Sequence, residues 1–155
     1  MQTPIDLRLA RHGIIVLLLG LLTGFAIPLF HNPHFGNAAH LVGLIGGFGM
    51  IALGLLWPAL KLGRSWSSAG VWTMVLSMYL NWLGLVLHGA FGSGPNAPSS
   101  AIPGSLLLWD HAGQIALTLG AFMTLFGTLV ALVGLRKLPV LAEMRSAVPA
   151  AVSMK

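Results

Sequence analysis

Residues 12–60 read HGIIVLLLGLLTGFAIPLFHNPHFGNAAHLVGLIGGFGMIALGLLWPAL, a stretch without one Asp, Glu, Lys or Arg. It is interrupted once, at His31-Asn32-Pro33-His34-Phe35-Gly36-Asn37, a run of turn-forming residues. Two apolar segments result, about 13–30 and 38–60, each close to the ~20 residues that cross a bilayer as a helix. Lipid offers the backbone no hydrogen-bond partners, so a spanning segment of this kind must be helical. The same pattern continues beyond Lys61, Gly63 and Arg64. A third segment covers about 69–91, a breaker-rich stretch follows from Gly92 to Ser100, and a fourth covers about 106–135, closed by Arg136-Lys137. The expected fold is an all-α membrane protein, a four-transmembrane-helix bundle occupying residues 1–138, with 139–155 a poorly ordered cytoplasmic tail.

Composition supports this reading and excludes others. Of 155 residues, 56% are hydrophobic and only 7% charged, against roughly 25% charged in soluble domains. The formal charge of +5 would suggest nucleic acid in a soluble protein. Here the cations lie between apolar segments, where they set topology and meet anionic lipid, and no nucleic-acid partner is expected. The absence of cysteine excludes disulfides, thiolate ligands and covalent c-type haem. Arg8 and Arg11 before an apolar run resemble a signal peptide, but no small-x-small cleavage site follows, so the segment reads as a retained first helix. Arg8, Arg11, Lys61, Arg64, Arg136, Lys137, Arg145 and Lys155 all fall on one side of the four-helix arrangement. By the positive-inside rule that side is cytoplasmic and holds both termini, which describes a multi-pass protein of the inner (cytoplasmic) membrane.

Several residues could carry chemistry. In the second helix His40, Gly43, Gly47, Met50 and Gly54 follow a three-and-four spacing and so share one stripe. Two readings are open: close helix packing of the small-xxx-small kind, or a slot for a flat cofactor with an imidazole at its mouth. Polar groups at membrane depth are costly and mark candidate sites. The third helix carries Ser77, Asn81, Gly84 and His88 on one face, with Tyr79 and Trp82 beside it. Asn81 either touches substrate or bonds a neighbouring helix. Asp110 and Gln114 share a face of the fourth helix, where Asp110 either joins a site or favours the helix N-terminus. His88 is a site residue or an interfacial one. His31 and His34 read as solvated loop residues, and His12 beside Arg11 as a headgroup-level one. No nucleophile–base pair, carboxylate pair or phosphate loop is present.

With these positions in hand, the chain resembles the hydroxylaminobenzene mutases, small four-helix membrane isomerases related to styrene oxide isomerase. The resemblance is carried by Arg11-His12-Gly13, Leu19-Gly20-Leu21-Leu22-Thr23-Gly24, Pro28-Leu29-Phe30, Asn32-Pro33, Ala39-His40-Leu41-Val42-Gly43-Leu44, Leu53-Gly54-Leu55-Leu56-Trp57-Pro58 and Tyr79-Leu80-Asn81-Trp82. It implies a homotrimer that holds haem b (ferric iron) through one histidine, falling on His40, with Gly43, Gly47, Met50 and Trp82 shaping the cofactor pocket. Asn81, Tyr79 and Ser77 are the implied catalytic positions for a small aromatic substrate, and Asp110 joins them as a candidate from its own place on the fourth helix. An asparagine usual six residues beyond that histidine is Gly46 here, and the acid and tyrosine of the epoxide isomerases fall on Ser77 and Leu85. The Tyr79-x-Asn81-Trp82 match favours conversion of an arylhydroxylamine to an aminophenol over rearrangement of an epoxide to an aldehyde. Two other classes remain: a b-type cytochrome ligated by His40 and His88, and a cofactor-free membrane scaffold or small transporter.

The topology is directly testable because the chain has no cysteine of its own. Single cysteines at Ser99 and Ser153 are expected to react from opposite sides of an intact membrane, and labelling of both from one side would end the four-span arrangement.

Overall fold

A computed structural model describes residues 6–91 and 106–135; the tail expected at 139–155 lies outside them. Among the described residues four helices are long and apolar enough to cross a membrane, as a multi-pass membrane protein requires. Helix α1 spans Leu7–Ala26 and ends in a 3-10 turn, Ile27–Leu29. Helix α2 spans Pro33–Leu56, also with a 3-10 turn, Trp57–Ala59. Helices α3 and α4 span Arg64–Phe91 and Leu106–Leu135.

The first three helices start earlier than hydropathy suggested, because local polar chemistry sets their ends. Asp6 caps α1 by accepting hydrogen bonds from the backbone N–H groups of Arg8 at 3.0 Å and Leu9 at 3.3 Å. In α2 the turn residue Pro33 opens the helix, a position where its missing N–H costs nothing. Both 3-10 turns carry a proline as well, Pro28 and Pro58, which close the preceding α-helices.

Helices α1 and α2 form an antiparallel hairpin held at very short range. Gly20 lies against Gly43, Gly13 against Gly47, and the Asp6 N–H donates to the Gly54 carbonyl at 3.0 Å. A methyl group added at Gly20 would sit 2.8 Å from the Gly43 backbone, and one at Gly47 2.7 Å from the Leu17 nitrogen. Such approach is the geometry of small-residue helix association, where dispersion between backbones replaces a hydrophobic drive that lipid cannot supply. The glycine stripe of α2 is therefore filled by α1.

Helices α3 and α4 form the second hairpin, with Gly84 facing Gly113 and Leu117, and Met74 over Gly127. The hairpins meet through α2 and α3: Met78 fills the space beside Gly46, and the Asn32 N–H donates to the Gly89 carbonyl at 2.9 Å. One apolar core gathers Leu9, Val16, Met50, Trp57, Val71, Met74, Val75 and Ala131. It lies toward the end of the bundle that carries Arg8, Arg11, Lys61 and Arg64, here the basic end. Trp57 is 2% exposed and donates its indole N–H to Ser67 Oγ at 3.1 Å. Apolar side chains such as Phe25, Ile45, Phe48 and Phe122 point outward, as a lipid-facing surface requires.

Gly43→Val is expected to lower the melting temperature in detergent, since overpacking typically costs about 1–3 kcal/mol. Gly49→Ala, at a position with nothing within 4 Å, is expected to leave it unchanged. Equal melting of the two variants, followed by circular dichroism, would contradict the packing described.

Candidate active site

His40 stands near the end of the bundle opposite the basic one, on the flank of α2 that faces α1. Its Nδ1 lies 2.8 Å from the Gly20 carbonyl oxygen. A carbonyl can only accept, so Nδ1 carries the proton and the Nε2 lone pair is left as the donor atom of the neutral ring. Gly24 makes room for the ring, because a methyl group there would sit 2.7 Å from Nδ1. A histidine oriented by a backbone carbonyl in this way is the usual arrangement of a metal-bound imidazole. Among the described residues no three of His, Cys, Asp or Glu come together. A metal at His40 that drew its other ligands from a macrocycle would need no such cluster, and in that respect His40 suits haem. Gly43 and Gly47, expected beside a cofactor, are covered by α1, and Met50 belongs to the apolar core.

The polar residues of α3 part company. Tyr79 and Trp82 turn toward α1. The Tyr79 hydroxyl is 3.0 Å from His12 Nδ1, and the Trp82 indole N–H donates to Thr23 Oγ1 at 3.0 Å. Thr23 is 5% exposed and donates in turn to the Leu19 carbonyl at 2.7 Å. Asn81 turns the other way, toward α4, where its Nδ2 donates to Thr124 Oγ1 at 3.3 Å over Gly120. Ser77 is fully buried and donates to the Met74 carbonyl at 2.8 Å. Two residues apart on a helix means roughly 200° of rotation, which is why Tyr79 and Asn81 cannot meet one small molecule from the same side.

A further polar pair closes the end of the bundle nearest His40. His88 is 1% exposed, with Nδ1 3.6 Å from Asp110 Oδ1 on α4. Its ring is covered by Phe35, with centroids 5.1 Å apart, and rests over Gly113. Nearby, Phe91 and Trp109 stack at 4.5 Å and an interplanar angle of 2°. The structure thus brings Asp110 to His88 but keeps both apart from Asn81, Tyr79 and Ser77. His40 lies against α1 and His88 against α4 and Phe35, so the two do not face one another as ligands within one chain. His31 and His34 are exposed at the α1–α2 turn.

Comparison with known proteins identifies the group. A family profile described as styrene oxide isomerase matches residues 5–138. The chain belongs to the styrene oxide isomerase family. It is 39% identical over 118 residues to hydroxylaminobenzene mutase HabB of Ectopseudomonas oleovorans, covering 76% of this chain and 72% of that one. It is 42% identical over 90 residues to hydroxylaminobenzene mutase HabA of the same organism, covering 57% and 67% respectively. No solved structure matches significantly. The protein is accordingly an isomerase, and a small molecule is its substrate.

In this isomerase three residues acquire partners that hydropathy and motif reading passed over. His12, expected at headgroup level beside Arg11, bonds Tyr79 and packs edge-on to Trp72 at 5.9 Å. Thr23 and Thr124 each spend a hydroxyl proton on their own helix, and their oxygens then accept from α3. A hydroxyl inside an apolar segment was the available signal, because it must find both partners in lipid.

The Asn81–Thr124 bond sets an expectation for a double-mutant cycle of Asn81→Leu and Thr124→Val. Membrane hydrogen bonds average a modest ~0.6 kcal/mol, so a coupling of about that size is expected from melting in detergent. Turnover per folded molecule should be largely retained in Asn81→Leu; a collapse in turnover without loss of stability would place Asn81 against the substrate instead.

Proposed function

We propose that this isomerase converts a small arylhydroxylamine to an aminophenol, the reaction type for which its two relatives are named, with haem b held by His40. The observation that carries the reading is the His40–Gly20 hydrogen bond. It fixes the ring, leaves Nε2 as the donor atom, and lies where the family resemblance places the haem ligand. In the reaction the N–O bond breaks and a C–O bond forms at an ortho ring carbon. That carbon loses its proton and the nitrogen gains one, so there is no net redox change. Bound to His40, ferric haem would supply a Lewis-acidic iron for the substrate oxygen.

The chain's own contributions follow from its polar seams. His40 is held in register by α1, so the ligand does not reorient during turnover. Trp82, fixed by Thr23 at the level of α1 that His40 also reaches, would be the wall against which an aryl ring lies, while Tyr79, fixed by His12, stands nearer the basic end. The apolar surroundings restrain bulk water from intercepting a ring cation. His40 is half-buried at the flank of the α1–α2 hairpin, and in a homotrimer of the kind the resemblance implies a neighbouring subunit would cover it. By the positive-inside pattern both termini would lie in the cytoplasm, with the bundle in the inner membrane. The family profile itself favours a second reading, rearrangement of an epoxide to an aldehyde.

Purified protein incubated with phenylhydroxylamine and, separately, with styrene oxide, without reductant, separates the two. An aminophenol is expected from the first; aldehyde from the second alone would select the epoxide reading, and no isomer from either would overturn both. His40→Ala is expected to lose the Soret absorption and turnover together, whereas His34→Ala keeps both. An unchanged Soret band in His40→Ala would remove the haem assignment.

A further inference from the structure

At the basic end, where the α2–α3 turn meets the last turns of α4, an apolar groove of about 300 Å³ opens to the outside of the bundle. Val130, 5% exposed, is its floor. Its walls are Leu62, Trp66, Phe126, Leu129 and Val133. Trp66 is 60% exposed and stacks on Phe126 with centroids 6.4 Å apart. The groove exists because Gly134 lets Leu60 and Leu62 close against α4 while Gly63 leaves the mouth clear. From Val133 to Phe126 it descends about 10 Å along α4, at ~1.5 Å per residue.

Two exposed cations, Lys61 and Arg64, flank Leu62 and Gly63 of the mouth in sequence, at the level where α3 begins. Neither forms an ion pair among the described residues. The acids among those residues are Asp6 and Asp110. Asp6 is engaged by Arg8, and Asp110 lies beside His88 at the other end of the molecule. Among the described residues, positive charge at this end is thus left without a counter-ion, beside a slot for hydrocarbon. An indole at the rim suits the same boundary, because tryptophan collects at the membrane interface.

We propose that this groove is a binding site for an anionic phospholipid, with an acyl chain along Leu62, Trp66, Phe126 and Val133 and the phosphate at Lys61 and Arg64. The two halves of the site demand opposite solvents, and one molecule with a charged head and an alkyl tail satisfies both. A free anion would leave the groove empty. A second copy of this chain would bring to the mouth its own exposed surface, which is apolar along the helices and basic at this end.

The test is native mass spectrometry of the full-length protein in detergent, titrated with phosphatidylglycerol or with phosphatidylcholine of identical acyl chains. Each cation near an anionic surface contributes about fivefold in affinity, or about 1 kcal/mol, so the pair gives phosphatidylglycerol up to about a thirtyfold preference. Lys61→Gln with Arg64→Gln is expected to abolish that preference. Val133→Phe, which fills the groove from an exposed position, is expected to weaken both lipids several-fold while the preference remains. Equal binding of the two lipids by the unmodified protein overturns the site, as does a preference that survives the double substitution. So does displacement of the lipid by glycerol phosphate, which would mean that the groove takes no part. A change in subunit number in Val133→Phe with lipid binding intact assigns the groove to a second copy of the chain and also overturns the proposal. Isomerase turnover and melting of each variant, expected unchanged, keep misfolding from imitating any of these results.

Discussion

The backbone contact between α1 and α2 is the constraint on which the other features depend. Lipid tails are as apolar as leucine, so helices gain nothing by merely hiding hydrocarbon from them. They gain when atoms come closer than lipid could pack, and glycine is the residue that permits it. With Gly20 on Gly43 and Gly13 on Gly47, the two helices share their backbones over most of their length. The position of His40 follows directly. Its ring reaches a carbonyl of the neighbouring helix because no side chain at Gly24 holds it off.

Many polar groups inside the bundle are spent on a neighbouring helix or on their own backbone. His12 with Tyr79 and Thr23 with Trp82 join α1 to α3, Asn81 with Thr124 joins α3 to α4, and Trp57 with Ser67 ties α2 to α3. Each bond is worth little alone. Together they fix the rotation of α3 about its axis, which glycine contacts leave loosely specified. Rigidity of this kind is what orientation of a reactive intermediate would require.

The fold was legible in the sequence because lipid imposes one solution on long uncharged segments, and the four helices stand where hydropathy placed them. Their ends were not, since Asp6 and Pro33 act through caps that hydropathy does not register. Within the candidate site, the place of His40 on a glycine stripe could be read from the spacing alone. What the stripe faced could not, because a helix and a flat cofactor ask for the same small residues. Tyr79, Asn81 and Trp82 read as one motif, but a motif is a line of sequence and a helix is a cylinder. The pairing of His12 with Tyr79 joins residues distant in the chain and needed the register of α1 against α3, which no local pattern encodes.

The hairpin arrangement has a consequence for how such a protein comes into being. The tightest contacts join α1 to its successor α2, and α3 to its successor α4. Each hairpin can therefore close as its second helix leaves the translocation machinery, before the remainder of the chain exists. Trp57 is different, for its cover, Gly70 and Ser67, belongs to a helix made later. During synthesis that indole waits at the edge of a finished hairpin, and the arrival of α3 beneath it joins the two halves of the molecule.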